Sequence, residues 1–211
     1  MRSLGAAHFF AITINDHVMT KKMNCLAMLF ALTYISAKAQ DPDPRGAFAI
    51  ETRLTTYLQN GFDAAVFYYP SQSKFSFGAI YAAHEIKGNT RSLIFESNNH
   101  DALSIRLTWL AAILTRYHFS ASRKGFLGEV GVGAEEFRIR IGEKVHGQTN
   151  GFISPAIGFV WFPWKAAGFY VLPKITANII VGRGSEEKLK ETTFRLKPVF
   201  PAPSLAVGWK F

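Results

Sequence analysis

The stretch His118-Phe119-Ser120 is the fragment of the sequence whose residue types come nearest to a hydrolytic site. A histidine can act as the base for a serine nucleophile when a carboxylate orients the imidazole. Glu129 and Glu135 follow on the next predicted strand and could supply that carboxylate. The offset of two residues, however, places His118 and Ser120 on one face of a strand, and we assign that face to the interior. We therefore expect no catalytic site here.

A larger set of titratable residues occurs at alternating positions along the predicted strands. This set consists of Glu51, Arg53, Asp63, Arg106, Arg116, His118, Glu129, Glu135, Arg138, Arg140, Lys174 and Lys210. We assign all of them to the interior face. Buried charges of both signs should pair, because an isolated ion is costly to remove from water. The pattern predicts a network of salt bridges that fills the interior. A narrow polar path for small solutes and a site for a bound ligand remain alternatives.

Metal, nucleotide and nucleic-acid chemistry have little support in the sequence. His84, His100, His118 and His146 are far apart and have no partner at the spacing of metal ligands. The glycines of Gly131-Val132-Gly133 do not lead into a helix, as a phosphate-binding loop would. Outside residues 1–40, which hold four basic residues and one acidic residue, 20 basic and 14 acidic residues remain, a net charge of +6 in scattered positions. We expect no metal, no cofactor and no nucleic-acid partner.

Eight strands are predicted, and they must position these residues. They span 47–58, 61–69, 74–86, 104–119, 126–141, 152–163, 169–182 and 199–211, with turn-forming or polar residues between them. In the last strand, Leu205, Val207, Trp209 and Phe211 alternate with Ser204, Ala206, Gly208 and Lys210, so the two sets lie on opposite faces. The second half contains no run of about 18 apolar residues, the length that a membrane helix requires. The fold class is therefore all-β.

Four features favour a closed antiparallel transmembrane β-barrel of about eight strands. Several strands are long enough to cross a bilayer when tilted. Aromatic residues gather at strand ends, the connections alternate between short and long, and the chain ends on an alternating strand. Closure is required in hydrocarbon, because every backbone donor and acceptor needs an internal partner. A soluble lipocalin-like barrel, with the polar face outside, remains the alternative.

Two positions are expected to interrupt the regular strands. Pro173 lies within a predicted strand, where proline removes a hydrogen-bond donor, and a bulge is expected there. Glu135-Glu136 places two carboxylates side by side where alternation should separate them, which also suggests a bulge. Polar connections are expected at 87–103, 142–151 and 183–198.

The N-terminal residues have the features of a targeting segment. Lys21 and Lys22 precede the short apolar run 25–35, and Ala37-Lys38-Ala39 is typical of a signal-peptidase site. We predict a signal peptide at 19–39 with cleavage near Ala39, and we interpret 1–18 as an upstream mis-start. The single cysteine, Cys25, lies in this segment, so the predicted mature chain has no disulfide. The barrel domain is expected to span 46–211.

The signal peptide, the eight-strand pattern and the C-terminal sequence PSLAVGWKF together resemble small bacterial outer-membrane β-barrel proteins of the OmpA- and OmpX-like group. The resemblance covers 46–211. It implies an integral outer-membrane protein of a Gram-negative cell, inserted by the barrel-assembly machinery, with Trp209 and Phe211 as the assembly signal. It also implies contact with outer-membrane lipid and lipopolysaccharide, to which the basic residues of 183–198 could contribute. It implies no particular activity.

The sequence thus predicts a non-enzymatic barrel with a structural or interaction role and an interior closed by charged side chains. The alternatives are an outer-membrane lipid-modifying enzyme, a narrow porin-like channel or binding barrel, and the soluble lipocalin-like barrel. The stretch around His118 and Ser120 loosely resembles lipid A deacylase barrels. That enzyme class acts on the outer leaflet, whereas the predicted topology places these residues at the periplasmic end.

Overall fold

The computed structural model of the chain describes residues 46–164, 168–182, 187–189 and 191–211. The predicted segments 1–18 and 19–39 and the cleavage site lie outside the described residues. The strands are β1 (Ala47–Arg53), β2 (Phe62–Tyr69), β3 (Phe75–Ile86), β4 (Phe95–Ser97), β5 (Ser104–His118), β6 (Gly125–Ile141), β7 (Lys144–Val160), β8 (Gly168–Val181), β9 (Glu187–Leu189), β10 (Thr192–Leu196) and β11 (Val199–Lys210), and the helices are α1 (Leu54–Leu58) and α2 (Thr90–Ile94). None of the described helices is both long and apolar enough to cross a membrane.

Eight of the strands close into an antiparallel barrel. Their order around the barrel is β1-β11-β8-β7-β6-β5-β3-β2, and β1 completes the ring by pairing with both β2 and β11. The remaining strands form a small separate sheet in the order β4-β10-β9. The predicted all-β fold and the closed eight-stranded antiparallel barrel are confirmed.

The two ends of the barrel differ in the length of their connections. At one end, which we call the short-turn end, the strands are joined by 70–74, 119–124 and 161–167. At the other, the long-loop end, 54–61 contains α1, 87–103 contains α2 and β4, and 182–198 contains β9 and β10. The predicted outer connection 142–151 is wrong, because Lys144 already pairs with Ile141 and the ladder continues along both strands. Gly142, at φ +59°, allows the tight turn between them.

A β-bulge lies in β5 and not at either of the two expected positions. Leu107 pairs with Phe137 and Trp109 with Glu136, so Thr108 is an extra residue relative to β6. The register against β3 shifts at the same point. Because the bulge adds one residue, odd-numbered residues of β5 face the interior before it and even-numbered residues after it. Pro173 pairs with Leu205 without a shift of register.

The interior beside β5 and β6 is apolar at the long-loop end. Leu107, Phe137 and Ile139 of the barrel are buried there, together with Phe95 and Phe194 of the small sheet. The rings of Phe95 and Phe137 meet edge to face, with centroids 5.3 Å apart. The small sheet therefore packs its aromatic side chains on the apolar layer of the barrel.

Candidate functional site

The structure separates the predicted interior residues into two groups. Inward positions are occupied by Glu51, Arg53, Asp63, Arg116, His118, Glu129, Glu135, Lys174 and Lys210. The assignment is wrong for Arg106, Arg138 and Arg140, which are exposed on the outer face. Arg106 lies before the bulge at Thr108 and therefore faces the opposite way from Arg116. β6 contains no bulge against β7, so its even-numbered residues lie on the face opposite to that of Glu135 along the whole strand. Arg138 and Arg140 therefore face outward.

Four of the inward residues form an ion cluster in the charged part of the interior. Arg116 is completely buried and donates from both terminal nitrogens to Glu51, over 2.8 and 2.9 Å. Its Nε donates to Glu129 over 2.5 Å, and Lys174 Nζ donates to the other oxygen of Glu129, also over 2.5 Å. We call Glu51, Arg116, Glu129 and Lys174 the central ion cluster. It contains two acids and two bases, and it joins β1, β5, β6 and β8 across the barrel.

Two aromatic residues complete the surroundings of the cluster, although no charge or motif in the sequence marks them. The Tyr170 hydroxyl donates to Glu51 Oε2 over 3.0 Å, and the Arg116 guanidinium lies 3.6 Å from the centroid of the Phe67 ring. Both rings need space that glycine provides. A Cβ on Gly208 would lie 2.3 Å from the Tyr170 ring, and one on Gly78 would lie 2.5 Å from the Phe67 ring.

We expect Gly208→Ala to lower the free energy of unfolding by about 1–3 kcal/mol, because the new methyl group displaces Tyr170 from Glu51. The measurement is denaturant unfolding followed by far-UV circular dichroism. Gly128→Ala is the matched control, since an added Cβ there has no heavy atom within 4 Å. Equal stability of the two variants would show that the space beside Tyr170 is not needed.

A second charged group lies at the ends of β1 and β2 near the long loops. Arg53 and Asp63 form a salt bridge through Nε and Oδ2. The same carboxylate accepts hydrogen bonds from the Arg53 backbone N–H over 2.6 Å and from Thr52 Oγ1 over 2.9 Å. Thr56 of α1 donates to it over 3.2 Å. Asp63 thus connects the first two strands to the helix that links them.

The residues that were weighed as a hydrolytic site, and not expected to form one, are separated in the structure. His118 Nε2 lies 3.0 Å from Ser76 Oγ, and Ser120 Oγ lies 2.8 Å from Ser122 Oγ. Glu129 forms salt bridges with Arg116 and Lys174 and therefore does not orient His118. Glu135 is buried, and its Oε1 has no hydrogen-bond partner among the described residues. Within this part of the chain, His118 and Ser120 do not share a hydrogen bond.

The described residues contain no group of three or more His, Cys, Asp or Glu side chains that could hold a metal ion. At the C-terminus, Trp209 lies on the outward face of β11. Phe211 is exposed, and its backbone N–H donates to the Phe48 carbonyl over 2.8 Å, which fastens the end of the chain to β1.

No protein-family model matches the chain, and no curated protein sequence matches it. Solved structures do match, among them the N-terminal β-barrel domain of Pseudomonas aeruginosa OprF (TM-score 0.45, 13% identity, 79% of this chain and 98% of that one). Neisserial surface protein A is similar at a TM-score of 0.44 and 15% identity, over 79% of this chain and 95% of that one. The attachment invasion locus protein Ail of Yersinia pestis is similar at a TM-score of 0.39 and 10% identity, over 79% of this chain and 95% of that one. These neighbours are outer-membrane barrels, and at such identities the likeness concerns the fold alone.

Proposed function

We propose that the chain is an integral outer-membrane β-barrel protein with a structural or interaction role, whose interior is closed by charged side chains. The observation that carries this proposal is the reversed polarity of the barrel. Large apolar side chains are exposed on its outside, with Ile113, Phe126 and Phe48 at 71, 60 and 57% exposure. Charged residues such as Arg116 and Glu129 are buried inside.

This polarity supports a hydrocarbon environment. Soluble proteins rarely expose a contiguous apolar surface of more than a few hundred Å². Here the apolar outer residues recur on each strand, for example Ile50 on β1, Val66 on β2 and Val132 on β6. A soluble lipocalin-like barrel would carry polar residues in these positions. Closure of the sheet pairs the backbone groups internally, as a bilayer requires.

The limits of the apolar surface support a bilayer-spanning barrel with its short-turn end in the periplasm. Tyr117, Phe119 and Trp161 are exposed at that end, where an aromatic girdle is expected. On β6 the outward face changes from apolar to charged between Phe126 and Glu136. Ten residues of a tilted strand rise about 25 Å, which is the height of the lipid-facing band of outer-membrane barrels. Short turns in the periplasm and longer outer loops are typical of that class.

The central ion cluster supports a closed interior. In an eight-stranded barrel the side chains nearly fill the lumen. The Arg116 side chain reaches from β5 to Glu51 on β1, and Lys174 reaches from β8 to Glu129 on β6. A continuous channel for solutes would have to pass these paired side chains. A lipid-modifying activity has less support, because His118 hydrogen-bonds to Ser76 and not to Ser120.

We expect the residues from Gln40 onward, folded into phosphatidylcholine vesicles, to run faster on SDS gels before boiling than after it. The compact barrel binds less detergent than the unfolded chain, and far-UV circular dichroism should show a β-sheet spectrum before boiling. A chain that stays in the aqueous supernatant with the same β spectrum and no mobility shift would contradict the proposal. It would make the lipocalin-like barrel the better explanation.

A further inference from the structure

Three arginines form a compact group on the outer face near the long-loop end. Arg106 of β5 and Arg138 of β6 are direct cross-strand partners, and Arg140 lies two residues further along β6. All three are exposed. Side chains that face each other across an antiparallel pair have Cβ atoms about 5 Å apart, and residues two apart on a strand are about 7 Å apart. We call Arg106, Arg138 and Arg140 the arginine patch.

Like charges in this register repel unless an anion lies between them. Among the described residues, neither Arg106 nor Arg140 forms a salt bridge within 4 Å, and Arg138 has only a 3.7 Å contact to Glu136. The neighbouring acids have other partners. Glu85, opposite Arg106, accepts from Lys87 over 3.1 Å, and Glu136 accepts from Trp109 Nε1 over 2.8 Å. Three guanidinium groups thus face two carboxylates, one of which also pairs with Lys87, so the arginine patch keeps a net positive charge.

The arginine patch lies directly beyond the apolar surface of the barrel. Along β6, Phe126, Val130 and Val132 are the exposed apolar residues, and Glu136, Arg138 and Arg140 follow on the same face. On β7, Gly147 pairs with Arg138 and has no side chain that could cover it. In a bilayer, this height corresponds to the headgroups of the outer leaflet.

We propose that the arginine patch binds the phosphate groups of a lipid in the outer leaflet. This inference rests on the proposed membrane function. Guanidinium groups match phosphate with paired hydrogen bonds, and a phosphate with several acceptor oxygens can bridge neighbouring arginines. The acyl chains of the same lipid would lie along the apolar residues below the patch. The preferred ligand is thus an anionic lipid with an exposed phosphate monoester.

The test uses the folded protein in an uncharged maltoside detergent and short-chain phosphatidic acid as the probe. Native mass spectrometry gives the dissociation constant. We expect Arg106→Gln/Arg138→Gln to bind the probe at least roughly tenfold more weakly than the unmodified chain. The matched control is Lys74→Gln/Lys124→Gln, which removes the same charge from exposed residues at the short-turn end. Its dissociation constant should stay unchanged.

Two further results would overturn the inference. Equal weakening in both double variants would mean that only the net charge attracts the probe. Inorganic phosphate binding as tightly as phosphatidic acid would mean that the patch recognises a free anion and not a lipid. The gel-shift assay is run on every variant. Loss of the shift in the unmodified chain rejects the membrane proposal itself, whereas a normal shift with unchanged binding rejects only the lipid site.

Discussion

Replacing Arg116 with methionine should lower the free energy of unfolding by about 3–5 kcal/mol. The substitution leaves the buried carboxylate of Glu51 without a cation and Glu129 with Lys174 alone. An uncompensated charge in the interior is costly, because Glu51 and Glu129 are each only 4% exposed. The measurement is urea unfolding of the folded barrel in vesicles, followed by circular dichroism and by the gel shift.

A second substitution distinguishes lost charge pairing from lost packing. Glu51→Gln/Arg116→Met removes one acid and one base, and it leaves Glu129 paired with Lys174. We expect this double variant to recover most of the stability lost by Arg116→Met alone. Arg195→Met removes one partner of an exposed pair with Glu96 and should cost at most about 1 kcal/mol. If the double variant were no more stable than the single one, the charge pairing would not be what stabilises the interior.

Replacing Val132 with arginine should lower the free energy of unfolding in vesicles by about 2–4 kcal/mol. Val132 is half exposed on the outward face of β6, opposite Ile113, and lies within the apolar surface of the barrel. Arginine at the middle of a bilayer must either lose its hydration or distort the lipid around it. The measurement is reversible unfolding from the same vesicles, compared with the unmodified chain.

Val145→Arg provides the matched control, because the substitution is the same and the exposure is similar, at 47% against 50%. Val145 lies on β7 near the hairpin turn, beyond the apolar surface, and it pairs with Arg140. Its substitution should cost about 0–1 kcal/mol, which includes the repulsion between the new arginine and Arg140 in water. In a water-soluble barrel both substitutions would be nearly neutral, so equal costs at the two positions would argue against the membrane.

The faces of β8 and β11 could be predicted from the sequence because they depend only on the local backbone. Successive side chains of a strand point in opposite directions, and neither strand contains a bulge against the other. Alternation therefore placed Ala206, Gly208 and Lys210 opposite Leu205, Val207 and Trp209, as the structure does. The signal peptide at 19–39 and the assembly role of Trp209 and Phe211 remain predictions.

Arg106, Arg138 and Arg140 were predicted to face the interior because the position of a single bulge was wrong. The adjacent carboxylates Glu135 and Glu136 suggested a bulge in β6, but β6 keeps its register against β7 and the extra residue lies in β5. A bulge in β6 would put Arg138 on the same face as Glu135. The bulge at Thr108 in β5 instead places Arg106 on the outer face, opposite to the face of Arg116. β5 and β6 are neighbours in the sheet, so a single extra residue in either strand brings the residues that follow it back into pairing with the other strand. Only their register distinguishes the two solutions.

The sequence by itself predicted the eight strands of the barrel, although not the three strands of the small sheet. It also determined which residues of the regular strands share a face, because this follows from the two-residue period of an extended chain. The tertiary structure decided which ions meet. Arg116 reaches Glu51, 65 positions away, because the sheet curves β5 and β1 toward each other around a lumen that side chains nearly fill. His118 meets Ser76 and not Ser120 because β3 and β5 are neighbours in the sheet and their register places the two side chains together. Contacts across a barrel depend on its diameter and register, and neither quantity is contained in the local pattern of residues.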